Sequence, residues 1–254
     1  NGTEVLFFSL GGYMRFQNQL FFSVLPSTNT YLKEKYQNLP NYTVIIARHQ
    51  TAGRGRMERT WVDGDDLLLS VLIKDDLDPQ KISQLALVSA AAVWKTLFPL
   101  LPVKIKWPND IVYKNQKISG ILIESIINSG NTEAVIIGIG INVNTEIFPE
   151  ILSQKASSLF LETEKKYDLE ELKTEFLKHL DFYYQDFLDS GVKFLKICRD
   201  NSSLVGRWVK LNDFKTKKRA RVIRILENGN ILLEVEGVLQ EFSSGEISLQ
   251  ENYQ

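Results

Sequence analysis

Residues 134–144 read A-V-I-I-G-I-G-I-N-V-N. Their odd positions carry Ile137, Ile139, Ile141 and Val143, and their even positions carry Gly138, Gly140, Asn142 and Asn144. Successive side chains of a strand point to opposite faces. One face of this segment is therefore a continuous core face, and the other is bare backbone ending in two amides. A glycine-lined face suits close approach of a ligand. It equally suits a bulge or a tightly packed helix, and the strand alone leaves these open.

Working outward, I-V-Y, K-N-Q and K-I-S-G-I-L-I-E-S over residues 111–125 read as a β-hairpin. V-K-I-K-W at 103–107 alternates and is stopped by Pro108. L-L-L-S-V-L-I at 67–73 and V-I-I-A at 44–47 read as buried strands. Asp78-Pro79 is expected to open a helix running to about Phe98. Residues 1–26 look like short strands broken at Gly11-Gly12, and a helix is expected after Pro26 with Ser27 or Thr28 as its cap. Asp168-Leu-Glu-Glu171 is a capping pattern, followed by a stripe of Leu172, Phe176, Leu180 and Phe187 that ends near Gly191. A shorter helical stretch, V-K-F-L-K-I-C, comes next. D-N-S-S at 200–203 looks like a linker, and the remainder is short strands with an Asn228-Gly229 turn. The expected organisation is a domain over 1–200 and a small C-terminal β-barrel over 201–254.

Composition narrows the function. The 254 residues are 44% hydrophobic with a formal charge of −1, so a real core is available and the overall field does not recruit nucleic acid. One cysteine, Cys198, excludes a disulfide framework and fits a reducing, cytoplasmic setting; two histidines argue against a multi-histidine metal site. No apolar run reaches the ~20 residues of a membrane span. Walker A and G-x-S-x-G patterns are absent, and Gly138-x-Gly140 lacks the third glycine of a dinucleotide fold.

What remains is cationic and amide chemistry at strand ends. T-A-G-R-G-R-M-E-R-T-W at 51–61 sets Arg54, Arg56 and Arg59 among Gly53 and Gly55, ahead of Trp61. Glycines let the backbone approach an anion, arginines give charge-assisted hydrogen bonds, and a flat aromatic can stack on a heterocycle. Three like charges repel, so the loop is expected to be mobile when empty and ordered by a polyanion; a solvated basic turn is the competing reading. K-W-P-N-D at 106–110 presents Lys106, Asn109 and Asp110 at a strand exit, or is simply an Asn-Asp turn. Lys117 starts the strand that carries Gly120. Simple alternation puts these two on opposite faces, so a shared pocket needs backbone contact at Gly120 or a bulge. Lys215, Lys217, Lys218, Arg219 and Arg221 look like a solvated hairpin tip, with contact to nucleic acid or an acidic partner as the alternative.

Taken together, P-S-T-N at 26–29, Q-T-A-G-R-G-R at 50–56 with Trp61, K-W-P-N-D at 106–110, K-I-S-G-I-L-I-E at 117–124 and G-I-G-I-N-V-N at 138–144 resemble the biotin protein ligase family, in the family's order. G-R-W-V-K-L and G-E-I-S-L resemble its small C-terminal domain. The resemblance implies an α+β fold: a mixed β-sheet flanked by helices, like class II aminoacyl-tRNA synthetases, plus an SH3-like barrel. It implies activation of biotin with MgATP to biotinyl-5′-AMP, then transfer to a lysine of a biotin carboxyl carrier protein domain. It also implies a stand-alone cytoplasmic form without the N-terminal DNA-binding domain, with no DNA or membrane partner, and leaves open a homodimer. A lipoate or other acyl-adenylating ligase on the same fold is the alternative, and a nucleic-acid-binding module the non-enzymatic one.

By position, the resemblance places Ser27, Thr28, Asn29, Gln50, Gly53, Arg54, Arg56, Lys117 and Gly120 on biotin. It places Arg56, Arg59, Trp61, Lys106, Asn109, Asp110 and Asn142 on ATP. Lys117 and Arg56 are the catalytic candidates, and Asp110 is the candidate Mg²⁺ partner. Acyl adenylation needs no protein nucleophile, only positioning and charge stabilisation. One departure is Glu58, where the family's loop has glycine. It sets an anion between Arg56 and Arg59, so the loop is expected to fold differently or to hold the adenylate less firmly.

Overall fold

Strand pairing organises the computed structural model, which describes residues 3–7, 14–56, 59–212, 217–243 and 248–251. Gly11-Gly12, Glu58, Lys215 and residues 245–247 of G-E-I-S-L lie outside the described residues. The first sheet contains β1 (Thr3–Phe7), β2 (Asn18–Leu25), β3 (Val44–Gln50), β4 (Leu67–Ile73), β5 (Lys104–Lys106), β6 (Asp110–Tyr113), β7 (Gln116–Asn128) and β8 (Asn131–Ile141). Their spatial order is β1-β2-β3-β4-β8-β7-β6-β5. β2 and β3 run parallel and every other neighbouring pair is antiparallel, so the sheet is mixed.

The parallel pair needs a crossover, and helix α1 (Thr28–Lys35) supplies it. Leu32 of α1 packs with Phe22, Leu25, Ile45, Ala47, Leu72 and Ile136 on one face of the sheet. The other face is covered by α2 (Leu85–Leu97) and α4 (Leu169–Asp189), beyond the short α3 (Leu159–Thr163); α5 (Val192–Asp200) follows. Val71, Ile137, Ile139 and Ile141 meet the α2 and α4 side chains there in one apolar core. The helix expected from Asp78 starts later. Asp78 accepts from the Gln80 backbone at 2.9 Å and so closes a local turn, and α2 begins at Leu85 after a 3₁₀ turn over Ile82–Gln84. The α4 cap is as read: Asp168 accepts from the Glu170 and Glu171 amides at 2.7 and 3.1 Å.

A second, antiparallel sheet contains β9 (Trp208–Asn212), β10 (Lys217–Ile225), β11 (Ile231–Val235), β12 (Val238–Phe242) and β13 (Ser248–Glu251), in the order β12-β11-β10-β9-β13. Gly229, at φ 82°, makes the turn between β10 and β11 that Asn228-Gly229 announces. Lys217 to Arg221 belong to β10 itself rather than to a hairpin tip; Lys218 pairs with Glu236, and Arg219 lies over the Trp208 ring at 4.6 Å.

The segment read as a linker is pinned. The Ile105 amide donates to Asn201 O at 2.9 Å, and the Ser203 amide donates back to Ile105 O at 2.8 Å. Val209, Val222, Ile231 and Leu233 join the same apolar core as α2 and α4. Among the described residues no helix is long and apolar enough to cross a membrane.

Candidate active site

The site lies on the α1 side of the first sheet. Its floor follows from the alternation in β8: Gly138 and Gly140 face it, beside Ser70 and Leu68 of β4 in register. A methyl group at either glycine would have no room. A Cβ at Gly138 would sit 2.3 Å from Asn29 Oδ1, and one at Gly140 would sit 2.6 Å from Cζ2 of Trp61. The close approach foreseen for this face is thus made by two side chains of the chain itself.

One end of the floor is the start of α1. Ser27 is its cap, accepting from the Thr30 amide at 3.4 Å. Gln50, at the end of β3, accepts from the Thr28 backbone at 2.8 Å and lies 3.2 Å from its hydroxyl. Ser70 Oγ is 2.6 Å from Thr28 Oγ1 and 2.5 Å from Asn29 Oδ1. Asn29 Nδ2 donates to Glu124 Oε2 at 2.7 Å. The result is a buried cluster of hydroxyls and amides that ends on the Glu124 carboxylate.

The arginine loop crosses above. Its flanks are a small hairpin, with the Trp61 amide donating to Gly53 O at 3.0 Å and the Gly55 amide to Arg59 O at 2.7 Å. Met57 and Glu58, between these flanks, lie outside the described residues. Arg54 turns toward α1, donating to Thr30 Oγ1 at 3.0 Å. Arg56 turns the other way and donates to Asn109 Oδ1 at 3.0 Å. Burial lowers the Arg56 pKa, Asp110 opposes that, and the charge of Arg59 adds to it. A half-buried cation beside another cation is favoured by an added anion. The Trp61 indole lies across the floor with Nε1 buried and without a hydrogen-bond partner among the described residues.

Lys117 reaches this face because β7 carries an extra residue. Register passes from Ile111 opposite Ser119 to Val112 opposite Lys117, leaving Ile118 as a bulge. The bulge meets the condition that sequence alternation set. Lys117 Nζ lies 2.6 Å from where a Gly120 Cβ would be, 2.7 Å from Asp110 Oδ1 and 5.6 Å from the Trp61 ring centroid. Asn109 is held by donation to Ile121 O at 2.8 Å. Lys106 faces Asp110 across the β5–β6 turn, which contains the cis Trp107–Pro108 peptide. Trp107 Nε1 donates to Gly229 O at 3.0 Å and fastens this turn to the C-terminal sheet.

Asn142 is placed as a clamp. Its Nδ2 donates to Lys117 O at 3.2 Å and to Ser157 O at 2.9 Å, so it fixes the backbone from which Lys117 extends. Three polar residues had no role in the sequence reading. Ser70 was detectable as the one polar residue in L-L-L-S-V-L-I. Glu124 closes the K-I-S-G-I-L-I-E segment. Asp66, 2% exposed, accepts from the Val143 amide and the Thr145 hydroxyl, both at 2.8 Å. Burial, only partly offset by those hydrogen bonds, pushes its carboxyl up to about 6.

A mixed sheet with this polar pocket, glycine floor and convergent Arg, Lys and Asn groups offers fixed cations over bare backbone, an arrangement that suits an anionic ligand. Residues 21–142 match the model of the biotin/lipoate A/B protein ligase family. The bifunctional ligase/repressor BirA of Bacillus subtilis is 32% identical over 241 residues, covering 92% of this chain and 74% of that protein. The biotin–[acetyl-CoA-carboxylase] ligase of Mycobacterium tuberculosis is 28% identical over 80% of this chain and 77% of its own length. The structure of the Aquifex aeolicus biotin protein ligase in complex with biotin and ATP superposes with a TM-score of 0.84 at 30% identity, covering 93% of this chain and all of that one. The chain belongs to the biotin protein ligase family.

Proposed function

We propose that this site activates biotin with ATP and passes it to a lysine of a biotin carrier domain, and that the residues divide the work as follows. The α1 start (Ser27, Thr28 and Asn29) with Gln50 holds the ureido ring. Gly53, Arg54 and the Gly120 backbone border the tail. Lys117 and Arg56 hold the carboxylate against the α-phosphate. Arg59, Lys106, Asn109 and Asp110 face the triphosphate, with Trp61 and Asn142 on the nucleotide side. In the first step a carboxylate oxygen bonds to the α-phosphorus and pyrophosphate leaves with the electrons of the broken P–O bond. In the second a lysine ε-amine bonds to the acyl carbon, AMP leaves, and the amine loses a proton. Both transition states gather negative charge on oxygens, and fixed cations in a half-buried site stabilise it.

The observation that carries this reading is the meeting of Lys117 with Asp110 and of Arg56 with Asn109 at one end of a glycine floor whose other end is lined by buried hydroxyls and amides. Among the described residues no three His, Cys, Asp or Glu groups form a metal cage. Mg²⁺ ordinarily binds through one or two carboxylates, waters and substrate phosphates, and Asp110 fits as its single carboxylate. Bound there, it adds positive charge on the phosphates.

The test is exchange of labelled pyrophosphate into ATP with biotin and lipoate offered separately. Exchange with biotin alone is expected. Exchange with lipoate alone would move the chain to the other branch of its family, and exchange with neither would contradict acyl adenylation.

A further inference from the structure

We infer that Glu124 is a positioning residue for recognition of the acid substrate: it fixes which way the Asn29 amide points and anchors Arg54 at the same spot. The inference rests on the proposed placing of Asn29 and Arg54 beside biotin.

Past the Ile118 bulge, β7 alternates normally, so Gly120, Leu122 and Glu124 share the site face. Glu124 is half-buried there against α1. Its two oxygens have separate work. Oε2 accepts from Asn29 Nδ2 at 2.7 Å. Oε1 pairs with Lys33 at 2.5 Å and lies 3.9 Å from the Arg54 guanidinium. Lys33 stands four residues beyond Asn29 on α1, so both project from one helix face onto the same carboxylate. Burial raises the carboxyl's pKa, but the hydrogen bonds from Lys33 and Asn29 and the charges of Lys33 and Arg54 outweigh it, leaving it below the usual range.

An ionised carboxylate only accepts hydrogen bonds, whereas an asparagine amide presents a donor at one end and an acceptor at the other. Glu124 therefore forces the NH₂ of Asn29 toward itself and the carbonyl toward Ser70 and Gly138. Ser70 Oγ, 2.5 Å away, and the missing Cβ of Gly138, 2.3 Å away, are built around that orientation. The carbonyl so presented is an acceptor, the complement of a ring N–H. Arg54, held at 3.0 Å by Thr30 beside the same carboxylate, ties the arginine loop to this end of the site. Asn29, Lys33, Ser70, Thr30 and Arg54 in this network all lie at the α1 end of the site.

The experiment is steady-state exchange kinetics on Glu124→Gln, Glu124→Asp, Asn29→Ala and the Glu124→Gln/Asn29→Ala double variant, with thermal melts of each. Loss of a charge-assisted hydrogen bond predicts a rise in KM for biotin on the order of tenfold in Glu124→Gln, with KM for ATP within about twofold. Glu124→Asp keeps the charge and should fall between wild type and Glu124→Gln. The double variant should raise KM by less than the product of the two single effects, because the orientation of Asn29 is lost in both and only the Arg54 anchor is lost in addition. A purely structural role would lower Tm and move both KM values together, and multiplicative effects in the double variant would equally overturn the inference. Should Glu124→Gln not fold, Glu124→Asp and Asn29→Asp, which opposes two carboxylates, carry the same test: unchanged KM for biotin in both refutes it. Wild-type exchange that lacks biotin dependence would fail the proposed function instead.

Discussion

The two faces of strand β8 carry opposite kinds of surface around residues 137–141. Ile137, Ile139 and Ile141 are at most 3% exposed and pack into the large core under α2 and α4. Gly138, Gly140 and Asn142, interleaved with them, carry no apolar side chain, and Asn29, Trp61 and Lys117 crowd the space above. The first face obtains its stability from apolar area removed from water, roughly 25 cal/mol per Å². The second keeps Ala134 and Ile136 under α1 but gives up that contribution over residues 138–142, where polar groups approach the sheet. One strand therefore holds the fold on one side and shapes the ligand site on the other.

That division can be broken on purpose, and the largest effect belongs to the site face. Lys117→Ala removes the cation proposed to face the transition state and should lower biotin-dependent exchange by on the order of a thousandfold. Its ion pair with Asp110 is about a third exposed, so Tm should hardly move. Turnover near wild type would remove Lys117 from its assigned role. On the core face, Ile139→Ala leaves a cavity in a packed region and should cost about 2–5 kcal/mol in urea or thermal melts.

A smaller effect sits at the edge of the two faces. Asp66 titrates at about 6 in the fold, above the ordinary carboxylate value of 3.8. A raised pKa means the folded chain holds its proton more tightly than the unfolded chain. The stability this confers is complete below about pH 4 and is lost as pH rises through 6, by on the order of 2–3 kcal/mol. Asp66→Asn should flatten the stability profile between pH 4 and 7, and an unaltered slope would exclude Asp66 as its origin.

How much of this was legible depends on distance along the chain. Local features were legible on either face: alternation in 134–144, the Asp168 cap, the Asn228-Gly229 turn and the five segments resembling the family all lie in contiguous residues. The mixed sheet and the all-β C-terminal unit followed from them. The site face depends on register and long-range contact, which spacing does not record. The bulge that turns Lys117 onto Gly120 adds one residue to β7 and leaves no mark in K-I-S-G. Glu124 meets Asn29 across 95 residues of chain. Residues 200–203 read as a linker because short polar residues look alike whether loose or bonded to a strand edge. The late start of α2 is a local competition, in which the Asp78 side chain satisfies a turn before a helix can begin.

The most direct measurement is KM for biotin in Gly138→Ala and Ile139→Ala, taken with the Tm of each. The new methyl of Gly138→Ala collides with an Asn29 that Ser70 and Glu124 hold in place. The account predicts that Gly138→Ala raises KM for biotin at least about tenfold with Tm within a few degrees of wild type, and that Ile139→Ala lowers Tm while its folded fraction keeps a wild-type KM. An unchanged KM in Gly138→Ala, or KM and Tm moving together in both variants, would contradict the assignment of one face to the fold and the other to the ligand.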